Sequence, residues 1–142
     1  MPHVSLITLG VDDLDLVSRF YEALGWRRSS ASVPEVVTFL QGGNVALGLF
    51  GRAALAAEAK LSDAEVAGNG AVALAMNLPD EAQVDAALQA AAAAGGRITK
   101  PAERAEWGGY SGYFTDPEGN LWEVAHNPYF PLGDDGAVEL PQ

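Results

Sequence analysis

The sequence predicts an α+β fold built from two βαβββ modules, and three observations predict it. An order of strand, helix and three further strands runs through the first half and then returns in the second. Asp13 and Asp80 stand at the same point of that order, each just ahead of an apolar helical run. Gly43-Asn44-Val45 and Gly119-Asn120-Leu121 stand alike at the start of the last strand of each half. A duplication of this kind usually lets two units pack so that neither leaves its sheet face bare. The modules are expected at 1–67 and 68–128, followed by a tail at 129–142.

Each element has a local reason. Val4 to Val11 is largely apolar, with β-branched Ile7, Thr8 and Val11, and reads as a strand. Asp12-Asp13 offers an N-cap, and Leu14, Val17, Phe20, Tyr21 and Leu24 recur at helical spacing until Gly25 ends the run. Trp26-Arg27-Arg28 is extended. Val36–Leu40 and Asn44–Phe50 read as strands joined at Gln41-Gly42-Gly43. The alanine-rich stretch from Gly51 to Val66 predicts an irregular helical connection, and Gly68-Asn69-Gly70 breaks it.

The second half begins with an apolar strand from Ala71 to Leu78. Pro79-Asp80-Glu81 opens a helix that runs to Ala94, where Gly95-Gly96 stops it. Arg97–Lys100 is extended and leads into a polar loop through Trp107-Gly108-Gly109. Tyr110–Thr115 and Leu121–His126 predict a hairpin around Asp116-Pro117-Glu118-Gly119. The proline- and acid-containing tail is expected to drape over the surface.

Composition removes several function classes. At 142 residues and 49% hydrophobic, the chain suits one domain with a real core, not a disordered linker. A net charge of −11 argues against nucleic acid or anionic lipid as the partner. The absence of cysteine excludes disulfides, thiolate metal sites and cysteine nucleophiles. No apolar run reaches the roughly 20 residues of a membrane span, and Met1-Pro2-His3-Val4 has no export signal, so a cytoplasmic location is expected. Abundant Ala, Gly and Val fit a GC-rich bacterial genome. Gly42-Gly43 and Gly108-Gly109 lack the lysine and helix of a phosphate cradle, and no Ser-His-Asp order is readable.

Two segments carry a family resemblance. Leu6-Ile7-Thr8-Leu9-Gly10-Val11-Asp12-Asp13-Leu14 with Phe20-Tyr21-Glu22-Ala23-Leu24-Gly25-Trp26 resembles the opening of vicinal oxygen chelate proteins. Tyr113-Phe114-Thr115-Asp116-Pro117-Glu118-Gly119-Asn120-Leu121-Trp122-Glu123-Val124 resembles their second half still more. That superfamily includes glyoxalases, bleomycin-resistance proteins and extradiol dioxygenases, and the resemblance extends to about Pro128. It implies that each half curls its sheet and that the two sheets wrap one cavity. It also implies up to four inward metal-ligand positions, which local motifs map to Leu6, Leu47, Ala73 and Glu123. Leu6 precedes Asp13 by the same interval that separates Ala73 from Asp80. Leu47 and Glu123 follow Gly43 and Gly119 in the same way.

Only Glu123 of these four can bind a metal, whereas a catalytic zinc typically takes three protein ligands. Strand alternation turns His3 and His126 away from the cavity. No metal and no cofactor is therefore expected. On the face of Glu123, alternation places Leu121, Ala125, Ser111 and Tyr113, and the interval from Tyr113 to Glu123 resembles that of a tyrosine in extradiol dioxygenases. A phenol beside a carboxylate can hold its charge by a hydrogen bond. An alternative role for Glu123 is structural, holding a network between strands. Trp107 in its glycine-rich loop is either a lid for stacking a flat ligand or a cover for core, and its loop resembles that of metal-free drug-binding relatives. Phe39, with Trp26 and Phe50, is a further candidate for the cavity wall.

The leading expectation is a metal-independent binder of a small organic ligand that sequesters an antibiotic or toxic compound, as a homodimer. The alternative is a glyoxalase-like lyase or isomerase, with Glu123 as general base and Tyr113 as acid. A third is an interaction or regulatory module, since the acidic tail from Gly133 to Gln142 has no evident task.

Overall fold

The computed structural model describes residues 4–67 and 72–141. His3, the Gly68-Asn69-Gly70 break and the expected strand start at Ala71 lie outside the described residues. The chain divides into two compact units, Met1–Ala71 and Val72–Gln142. Each contains a βαβββ module, as the repeated element order predicts.

In the first unit β1 (Leu6–Val11) leads into α1 (Leu14–Ala23), then β2 (Arg27–Arg28), β3 (Val37–Gln41) and β4 (Ala46–Gly51). Two further helices follow, α2 (Arg52–Ala59) and α3 (Asp63–Ala67), which resolve the expected irregular connection. The sheet order is β1-β4-β3-β2. β1 runs parallel to β4 and the other pairs are antiparallel, so the sheet is mixed. Asp13 caps α1 as predicted, its Oδ1 accepting from the Leu16 amide at 3.0 Å. Gly25, at φ +100°, takes the left-handed turn that ends the helix segment.

The second unit repeats the plan with β5 (Ala73–Asn77), α4 (Glu81–Ala93), β6 (Arg97–Arg104), β7 (Tyr110–Thr115) and β8 (Leu121–His126). Its sheet order is β5-β8-β7-β6, with β5 and β8 parallel. Asp80 caps α4 by accepting from the Gln83 amide at 2.8 Å. The β7–β8 turn is held by Asp116, which is 3% exposed and accepts from the amides of Glu118 and Asn120. β6 continues to Arg104, beyond the expected Lys100, because Pro101 and two charged residues are tolerated on an edge strand. The tail is also more regular than a draped segment, with Leu132 bridged to Val138.

Each unit buries one sheet face against its longer helix. In the first, Val17, Phe20 and Tyr21 of α1 are buried, as are Leu40, Leu47 and Leu49 of the sheet. In the second, Val84, Leu88 and Ala91 of α4 are buried together with Phe114, Trp122 and Val124. Phe114 and Trp122 stack with ring centres 6.0 Å apart. The opposite surface of each sheet is called its distal face below. Among the described residues, no helix is long and apolar enough to cross a membrane.

Candidate functional site

Register decides which side chains share a distal face. In antiparallel strands, directly opposed residues point the same way, and alternate residues point oppositely. In the second unit Tyr113 opposes Glu123, Ser111 opposes Ala125, and Thr115 opposes Leu121. Across the parallel pair, Ala75 lies beside Glu123 and Ala73 beside Leu121. Tyr110 and Gly112 point the other way: the Tyr110 hydroxyl donates to Asp85 of α4 at 2.6 Å, and a side chain at Gly112 would meet Leu88. Ser111, Tyr113, Ala73 and Glu123 therefore share the distal face.

The chemistry on this face centres on one hydrogen bond. The Tyr113 hydroxyl donates to Glu123 Oε2 at 2.7 Å, and both residues are half-buried. Hydrogen bonding to the carboxylate, reinforced by burial, holds the Tyr113 phenol above its ordinary pKa. The hydroxyl is thereby fixed as a donor, and Glu123 keeps a second oxygen for another partner. Lys100 of β6 joins the pair. Its Nζ lies 5.9 Å from the Tyr113 ring centre, donates to the Ser111 carbonyl at 3.3 Å, and sits 3.3 Å from Glu103. Sequence reasoning missed Lys100 because β6 contains register shifts that no periodicity reveals.

In the first unit Leu6 lies beside Ala46 and Thr8 beside Gly48, while Phe39 opposes Gly48. A Cβ at Gly48 would approach Thr8 Oγ1, Leu6 Cδ1 and Phe39 Cε1, so these groups share the distal face. The placement of Leu47 is corrected. It opposes Leu40 on the α1 side and is 1% exposed, so it is core, and Gly48 occupies the position expected for it. The reason is that Gly43 lies three residues before the start of β4, whereas Gly119 lies two before the start of β8. Matching Gly43 to Gly119 therefore shifts the register by one, and a shift by one exchanges faces. Phe50 pairs with Gly10 on the distal face. Trp26 instead lies over Gly42 and edge-on to Tyr21, with ring centres 6.3 Å apart.

Trp107 is 57% exposed and lies against Tyr129 of the tail, with ring centres 6.5 Å apart. Its ring covers Gly109 so closely that no Cβ fits there, and Gly108 adopts φ +105° to form the loop. The loop is closed by the Ala105 amide donating to the Gly109 carbonyl at 2.7 Å. His126 lies across from Tyr110, on the α4 side, with Nδ1 3.1 Å from the Leu78 carbonyl oxygen.

The resemblance implies metal-ligand positions at Leu6, Leu47, Ala73 and Glu123, and with Leu47 in the core the distal-face set is Leu6, Gly48, Ala73 and Glu123. One of the four offers a donor. Among the described residues no three His, Cys, Asp or Glu side chains are grouped to hold an ion. The residues present do not fit a resident divalent metal at these positions.

A groove of about 570 Å³ lies elsewhere, between the first turn of α1 and the β2–β3 connection. None of the sequence-predicted ligand residues lines it; its walls include Leu14, Ser18, Arg28, Val33, Glu35 and Thr38. Several of its polar groups already have partners: Ser18 and Thr38 bond each other at 2.8 Å, and Arg28 pairs with Glu22 at 2.5 Å. The Tyr113–Glu123 pair, with a carboxylate oxygen that no described residue is shown to engage, is the stronger chemical centre.

Comparison with known proteins agrees with the fold. A family model described as Glyoxalase/Bleomycin resistance protein/Dioxygenase superfamily matches residues 2–124. The chain is similar to a glyoxalase-related enzyme from Fulvimarina pelagi, with 33% identity, a TM-score of 0.88, and 100% of each chain covered. It is also similar to a lactoylglutathione lyase from Agrobacterium tumefaciens, with 26% identity, a TM-score of 0.67, and 88% and 93% of the two chains covered. A glyoxalase/bleomycin resistance protein/dioxygenase family enzyme from Burkholderia phytofirmans PsJN shares the fold at 20% identity and a TM-score of 0.75, with 86% and 96% covered. No curated protein matches the chain.

Proposed function

The chain belongs to the glyoxalase/bleomycin resistance protein/dioxygenase superfamily, and we propose that within it this protein binds a small organic ligand without a metal. The observation that carries this reading is the Tyr113–Glu123 hydrogen bond on the distal face of the second sheet. It leaves a carboxylate oxygen ready to accept from a ligand N–H or O–H. Ala73, Ala75 and Leu121 flank it with short or apolar side chains, so a ligand meets hydrocarbon around one polar anchor. Trp107 adds an exposed aromatic ring suited to stacking. Sequestration of an antibiotic or toxic compound by a homodimer is the form of the activity we favour.

Isothermal titration with a panel of flat, aromatic and cationic antibiotics tests the reading, using the natural protein and Glu123→Gln. Binding that weakens in Glu123→Gln supports it. No binding across the panel, or stoichiometric zinc or nickel in the purified protein by elemental analysis, overturns it.

A second reading is catalytic. It draws on the glyoxalase-related enzyme at 33% identity and on the Tyr113–Glu123 geometry. Glu123 would accept a substrate proton as general base while Tyr113 donates one. Turnover in a methylglyoxal–glutathione assay that disappears in Glu123→Gln would favour this reading over sequestration.

A further inference from the structure

We infer that Lys100 is a second anchor of the Glu123 site, and that the ligand is an amphoteric molecule of amino-carboxylate type. The inference rests on the small-ligand reading above and deepens it. It begins from an irregularity in β6. Ile98 opposes Phe114, Lys100 opposes Tyr113, and Glu103 opposes Ser111. Without the first shift Lys100 would follow Ile98 onto the α4 side, because residues two apart in a regular strand share a face. The shift turns Lys100 onto the distal face instead. The second shift does the same for Glu103. Bulges commonly re-aim a side chain in this way.

Gly112 of β7 makes the irregularity sterically feasible. A Cβ there would lie 2.9 Å from the Lys100 carbonyl oxygen and 3.0 Å from the Ala102 amide nitrogen. Only a residue without a side chain lets the bulged backbone approach so closely. Two features of the second sheet, its bulged edge and its interior glycine, therefore converge on the orientation of one ammonium group.

The ammonium is held but not consumed. It is bonded to the Ser111 carbonyl, overlies the Tyr113 ring, and pairs with Glu103, whose side chain is 71% exposed. A solvent-exposed pair of this kind is weak, so a ligand carboxylate can take the place of Glu103 at little cost. The Tyr113 ring connects the two anchors, with Lys100 over its face and Glu123 at its hydroxyl. A ligand that spans them presents an anionic oxygen to Lys100 and an N–H donor to Glu123.

Calorimetry with phenylalanine, its methyl ester and N-acetylphenylalanine tests the inference. The ester lacks the anion, and the acetyl derivative lacks the ammonium. The natural protein should prefer phenylalanine to the ester by about tenfold, the worth of one charge-assisted hydrogen bond. Lys100→Met should abolish that preference while still binding the ester, Lys100→Arg should retain most of it, and Glu103→Gln should strengthen phenylalanine binding by removing a competitor. Glu123→Gln should weaken both amine-bearing probes. Circular dichroism confirms that each variant is folded. An unchanged preference in Lys100→Met, a natural protein that favours the ester, or no binding of any probe overturns the inference. If the antibiotic panel still binds in a Glu123-dependent way, the broader reading survives that result; if it too gives no binding, both fail.

Discussion

The distal faces of the two sheets share one scaffold and differ in chemistry. Gly48 of the first sheet corresponds to Glu123 of the second, because each lies beside the third residue of its unit's first strand. Phe39 corresponds to Tyr113, because each opposes one of that pair. A phenyl ring and a bare backbone in one unit thus stand where the other has a hydrogen-bonded phenol and carboxylate. The ends of the two faces also differ. In the first unit α2 brings Leu55 and Arg52 against Gly10, so part of that face is covered locally. The two units repeat one backbone plan, which depends on register and capping, while the side chains that point away from the helices differ.

The largest effect that can break this comparison concerns the face assignment. Leu47→Ala should cost about 2–5 kcal/mol, since it removes a buried side chain beneath α1. Leu6→Ala, at a residue 43% exposed on the distal face, should cost about 1 kcal/mol or less. Chemical denaturation of both variants measures the difference, and similar costs would return Leu47 to the distal face.

The two interior glycines sharpen the comparison next. Gly112→Ala forces a methyl group against Leu88 and the bulged backbone, and should cost about 1–3 kcal/mol. Gly48→Ala meets Thr8 Oγ1 at 3.2 Å as its closest neighbour, a hydroxyl that can rotate, so its effect should stay within about 0.5 kcal/mol. Thermal unfolding compared at equal pH distinguishes them.

A smaller effect isolates the polar pair. The Tyr113 phenol titrates above its ordinary pKa because of Glu123, so the interaction stabilises the folded state at pH values below the ordinary tyrosine value. That contribution is lost as pH rises through the raised value. In Glu123→Gln the phenol should titrate at lower pH than in the natural protein. Tyr110 is also raised, by its bond to Asp85, and serves as the control that should not move. Absorbance at about 295 nm, with Tyr110→Phe to assign the transitions, follows both groups. The smallest effect belongs to Lys100→Met, whose ion pair is exposed and whose loss should change stability by no more than about 0.5 kcal/mol. Its consequence is expected in ligand preference instead.

Much of the fold was legible because it depends on short-range signals. Aspartates at helix starts, glycines at helix ends and the Asp116-Pro117-Glu118-Gly119 turn act within a few residues of themselves. The Tyr113–Glu123 pairing was legible for the same reason: a tight hairpin fixes register, and alternation then assigns faces. Leu47 was misplaced because Gly43 stands one residue farther from its strand than Gly119 does, a difference that apolar strands on both sides conceal. Lys100 was invisible because a bulge abolishes the period on which such reasoning depends.

The sequence by itself determined the two-module plan, the capped helices and the tight hairpin that sets Tyr113 opposite Glu123. These follow from residue identity and from spacing along the chain. Only the tertiary structure decided that Gly48, not Leu47, faces away from α1, that Trp107 rests on Tyr129, and that Lys100 stands over Tyr113. Those outcomes depend on which strands pair and where their register slips, and pairing joins residues whose separation in sequence carries no local signal.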